Sequence, residues 1–78
     1  MSGFNNVYDG VEEFNAIMKK TLDLVEEAKS KVQSIDEVSF GEAATRVKAI
    51  DEICASARKQ LNEAADTAEG ILKLLRGG

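Results

Sequence analysis

Along two stretches of the chain, apolar residues recur in alternating steps of four and three, the spacing of one face of a helix. The first stretch runs Val7, Val11, Phe14, Met18, Thr21, Val25, Ala28, Val32 and Ile35, with Thr21 its only polar member. The second runs Phe40, Ala43, Val47, Ile50, Cys54, Ala57, Leu61, Ala64, Ala68, Ile71 and Leu75 without a polar interruption. A repeat sustained over about five heptads is a coiled-coil signal. Each stretch predicts a long helix whose line of apolar residues is its buried seam. Ile17, Leu22 and Leu24 flank the first line, and Ile53, Leu72 and Leu74 flank the second. A stripe this wide predicts more than one helical neighbour.

Between the two stretches the pattern falters. Ser34-Ile35-Asp36-Glu37-Val38-Ser39-Phe40-Gly41 holds two serines, a β-branched valine and a glycine, all weaker helix formers. Ser39 with Glu42 forms a capping box, and Ser34 with Glu37 forms a rival one. The two lines are also out of phase by one residue: the first register continues to Ser39, whereas the second uses Phe40. A turn explains the slip directly. The predicted fold is therefore all-α, an antiparallel two-helix hairpin resembling a coiled coil and associating into a helical bundle. One long continuous helix in a coiled coil is the alternative. The expected layout is a loosely ordered arm over 1–8, helix one over 9–34 with Asp9 as its N-cap, a turn over 35–40 and helix two over 41–76. Setting Ile35 beside Phe40 brings Phe14 near Leu61, Met18 near Ala57, Val11 near Ala64 and Val7 near Ala68. It also brings Phe4 near Ile71 and Leu75.

Size sharpens the expectation of association. A chain of 78 residues is one domain at most and buries a modest core. With one cysteine it forms no internal disulfide, and without histidine it lacks the commonest metal ligand. Self-association or unusually good helix packing is the remaining support. Ten basic against fourteen acidic residues give a net charge of −4. That balance lacks the basic footprint of a nucleic-acid binder. No run of apolar residues is long enough to span a membrane, and neither a signal sequence nor a lipidation box is legible. The expected compartment is the cytoplasm, with secretion lacking a cleaved signal left open.

The chain offers little to chemistry. Cys54 occupies an apolar position with no histidine to activate it, so it reads as a small hydrophobe; its sharper reading is a bridge between two subunits. The carboxylate pairs Glu12-Glu13, Glu26-Glu27 and Asp51-Glu52 fall on outward positions and match no calcium loop. No cofactor and no catalytic residues are expected. Glu12-Glu13, Lys19-Lys20 and Glu26-Glu27 recur every seven residues with alternating sign. This striped row complements itself when shifted by one heptad and is a candidate lateral charge face. The candidate interaction surface is the flanking set Ile17, Leu22, Leu24, Ile53, Leu72 and Leu74. Two families of small helical hairpins carry diagnostic turns, a Trp-x-Gly in one class of secreted proteins and a proline turn in type III needle subunits. Neither turn is present, and no family is assigned.

The expected function is a non-enzymatic protein–protein interaction module acting through its heptad faces, as an assembly subunit, a small chaperone or an inhibitor of a partner. The alternative is a structural subunit of a secreted or virion assembly. The expected partners are the chain itself, as a dimer or higher oligomer, or another protein, with no nucleic acid and no membrane.

Overall fold

The structure, a computed structural model, describes residues 3–77. It holds two long helices, α1 (Val7–Val32) and α2 (Phe40–Leu75), joined by a short 3₁₀ turn at Ile35–Glu37. The helices pack against each other as an antiparallel hairpin 57 Å long and 14–16 Å across. The all-α hairpin expected from the phase slip is thus the fold, and the continuous helix is not formed.

Local chemistry sets the ends of each helix. Asn6 is the N-cap of α1: its side-chain oxygen accepts from the Asp9 N–H at 2.9 Å, and its amide donates to Asp9 Oδ2 at 3.0 Å. This satisfies a backbone donor left free in the first turn. Asp9, expected as the cap, instead lies inside that turn, where its charge suits the positive end of the helix. Of the two rival caps before α2, Ser39 is the one used, its hydroxyl accepting from the Glu42 N–H at 3.2 Å. Ser34 makes no capping bond; it sits in the left-handed region at φ 58° and turns the chain out of α1. At the far end Arg76 closes α2, donating from its backbone to the Leu72 carbonyl. The expected arm residues Met1 and Ser2, and the expected stop at Gly78, lie outside the described residues.

Three contacts set the pairing of the two helices. The Arg46 guanidinium donates to the Gln33 carbonyl at 3.2 Å. The Thr67 hydroxyl donates to Glu13 Oε2 at 3.1 Å. Gly10 lies against Ile71. This register differs from the expected one, in which Ile35 stood beside Phe40 and Phe14 beside Leu61. The reason is the connection. The left-handed residue and the 3₁₀ turn run alongside the start of α2, so Arg46, more than one turn into α2, stands near the end of α1. Arg46 also pairs with Glu42 at 2.7 Å. Its positive charge at the carbonyl end of α1 complements the helix dipole.

The expected buried line is corrected too. Each helix is rotated so that the seam falls between that line and its flank. On α1 the seam takes Gly10, Phe14, Ile17, Thr21, Leu24 and Ala28; on α2 it takes Ile50, Ile53, Ala57, Ala64, Thr67 and Ile71. Ala64 and Thr67 are its best-buried members, at 3 % and 2 % exposed. These are small or polar residues, and they let the helices approach closely. Phe4 completes the open end of the hairpin. Its ring fills a notch over Gly10 and Gly70, where a Cβ on either glycine would stand 2.7–2.8 Å from it. Gly70, an apparent weak spot in the helical pattern, therefore serves the packing of the N-terminal arm.

Candidate functional site

The rotation leaves half of each apolar line outside. Val11, Met18, Val25 and Val32 on α1 are exposed, as are Phe40, Val47, Leu61 and Leu75 on α2. They repeat every seven residues, so each forms a straight row along its helix. Cys54 and Ala68 complete the α2 row, Cys54 half-buried and Ala68 exposed. Both rows open on the same side of the hairpin. An apolar groove of about 330 Å³ runs between them, lined by Leu24, Val25, Ala28, Lys29, Val32, Ile50, Ile53, Cys54 and Ala57.

Counting from the three contacts between the helices, the rows are in step to within about half a turn. Val47 stands level with Val32, Cys54 with Val25, Leu61 with Met18 and Ala68 with Val11. The outward side is thus a ladder of four apolar rungs, one per heptad, about 10 Å apart. Leu22, 57 % exposed, and Leu72, 41 %, widen it at the edges. In a lone hairpin these residues stay wet, at roughly 25 cal/mol for each Å² of apolar surface. A contiguous apolar side of this kind marks an interaction surface far more often than a chance distribution of singly exposed residues.

The opposite side carries charged residues around an apolar floor. Its grooves are lined by Lys20, Asp23, Glu27 and Gln60 around Leu24, and by Glu27, Lys31, Glu52 and Ser56 around Leu24, Ala49 and Ile53. The hairpin therefore has one apolar and one charged long side.

The flanking residues named from the sequence divide between these environments. Ile17, Leu24, Ile53 and Leu74 are half-buried and face the seam, whereas Leu22 and Leu72 stay exposed beside the ladder. Val11, Met18, Val25, Val32, Val47 and Leu61, expected in the seam from their spacing, are surface residues. The signal for them was present in their strict spacing of seven, but it does not say which of two adjacent apolar lines turns inward.

The candidate charge row also divides. Glu12, Lys19 and Glu26 are fully outward; Lys20 and Glu27 border the polar groove; Glu13 is half-buried and holds the Thr67 hydroxyl. Glu13 thus links the two helices. Thr21, the other buried hydroxyl, donates to the Ile17 carbonyl one turn back at 2.9 Å. Among the described residues no buried polar side-chain atom lacks a partner.

Among the described residues no group of His, Cys, Asp and Glu side chains is arranged to hold a metal ion. No helix of the described residues is long and apolar enough to cross a membrane. Cys54 lies in the apolar groove beside Val25, Ile50 and Ala57, with no basic group in the chain of the kind that activates a thiol through an imidazole. Comparison of the chain with protein-family models, with curated proteins and with solved structures finds no match.

Proposed function

We propose that the protein is a non-enzymatic protein–protein interaction module whose working surface is the apolar ladder. The observation that carries this reading is the placement of the larger aliphatic residues. Val11, Met18, Leu22, Val25, Val32, Val47 and Leu61 are exposed, while the buried seam positions are Gly10, Thr21, Ala64 and Thr67 and the large seam residues, such as Ile17, Leu24 and Ile53, are half-buried. Helix association over this side buries the ladder and completes a bundle. Its function is then to assemble, with the charged side left to keep the assembly in solution.

Sedimentation velocity tests the reading by comparing the two sides. The protein associates at micromolar concentration, and Val25→Asp on the ladder dissociates it, while Glu52→Lys on the charged side does not. A stable, cooperatively folded monomer at high micromolar concentration, indifferent to Val25→Asp, would overturn it.

A further inference from the structure

We infer that the ladder closes on a second copy of this chain, stacked antiparallel, so that α1 lies on α1 of the copy and α2 on its α2. The inference rests on the ladder being a protein interface and names the occupant. The broad side, 57 Å long and 14–16 Å wide, offers roughly 900 Å², about what one partner contributes to a standard interface.

The α1 row has its midpoint between Met18 and Val25, and the α2 row, from Phe40 to Leu75, has its midpoint between Cys54 and Leu61. Met18 stands within about half a turn of Leu61 in height, and Val25 within the same of Cys54, so both midpoints fall at nearly one height along the hairpin. A single two-fold axis through that height brings both rows into register at once. An isologous contact requires this kind of self-matching surface.

In the antiparallel stack the rung of Met18 and Leu61 meets the rung of Val25 and Cys54 in the second copy. Large residues face small ones, and the layers fill evenly. Phe40, 96 % exposed, reaches Leu75 of the second copy, itself 67 % exposed. A parallel stack, which lays α1 on α2 of the copy, would instead put Met18 on Leu61 and Val25 on Cys54, crowding the first layer and leaving the second underfilled.

Charge decides between the two stacks. The antiparallel arrangement sets Glu12 within reach of Lys29, Lys19 of Glu26, and Lys48 of Glu69 in the second copy, each less than one helical turn apart in height. The parallel one sets Glu12 beside Glu69, Lys19 beside Arg58 and Glu26 beside Asp51, with Lys29 beside Asp51 as its favourable match. Like charges at these places are a specific penalty against the parallel form. On the antiparallel axis itself, Leu22 meets Leu22 and Arg58 meets Arg58. The arginine contact is the one unfavourable match, and it provides a handle.

A spin label at Glu37→Cys, in a Cys54→Ala background, reads the stack. In the antiparallel dimer the two turns lie at opposite ends, roughly 50 Å apart at about 1.5 Å per residue. Leu22→Cys in the same background oxidises to a covalent dimer, whereas Glu52→Cys on the charged side does not. Arg58→Leu tightens association about tenfold. An associated species with turn labels closer than about 30 Å, or one larger than a dimer, overturns the antiparallel stack and leaves the interaction reading standing. A monomer at every concentration overturns both.

Discussion

Inside the hairpin, α1 and α2 meet through Gly10, Thr21, Ala28, Ala57, Ala64 and Thr67. One helical position away, on the outward ladder, stand Val11, Met18, Val25, Val32, Val47 and Leu61. The most buried inner residues, Gly10, Thr21, Ala64 and Thr67, are small or hydroxylated, and the large seam residues Phe14, Ile17, Leu24, Ile50, Ile53 and Ile71 are half-buried around them. The outer ones are a second set of large aliphatics, and the hairpin alone leaves them exposed. Burial of large side chains is the main source of stability of a helical unit, and here a full line of them on each helix gains little from the partner helix.

The largest effect is expected from putting a charge on the ladder. Leu61→Asp places a carboxylate in the layer shared with Met18, Val25 and Cys54. It should weaken association at least a hundredfold, about 3 kcal/mol, as measured by light scattering behind size exclusion. Far-UV circular dichroism of the concentrated variant should remain helical, since Leu61 lies outside the seam. Coincident loss of helix and association at all concentrations would mean that seam and ladder are not separable.

Next come paired enlargements on the two surfaces. Ala64→Leu, at a position 3 % exposed, forces the helices apart and should cost about 1–3 kcal/mol in urea unfolding. Ala68→Leu adds the same atoms to the exposed row and should leave the hairpin intact while strengthening association. Equal costs at the two positions would erase the distinction between inner and outer lines. Smaller is the tie at the turn. Arg46→Ala loses its bonds to the Gln33 carbonyl and to Glu42, and should lower stability by about 1 kcal/mol. Smallest is a gain. Ser34→Gly relieves a non-glycine residue at φ 58° and should raise stability by about 0.5–1 kcal/mol, read as a higher unfolding midpoint.

The hairpin was legible because the apolar spacing slips by one residue between Ile35 and Phe40. A slip of that kind has a simple geometric meaning. Ser39 with Glu42 was legible as a helix start for the same reason, since a capping box is a local device. Asn6 was not: Asp9 offered an equally plausible cap, and the choice depends on Phe4 anchoring the arm over Gly10 and Gly70. The seam was the least legible feature. Each helix carries two apolar lines side by side, and both satisfy the helical period. Which one turns inward depends on contacts such as Gly10 with Ile71 and Thr67 with Glu13, made between residues far apart along the chain. The pairing register was lost at the turn, because Ser34 in the left-handed region and the 3₁₀ residues carry α2 past the end of α1.

If the ladder is an interface that completes the fold, folding and association are linked, and stability depends on protein concentration. Thermal unfolding followed across a hundredfold range of concentration tests this most directly. The midpoint is expected to climb by a few degrees with each tenfold increase, and this dependence to disappear in Leu61→Asp. A single midpoint at every concentration, shared by the wild-type protein and Leu61→Asp, would contradict it.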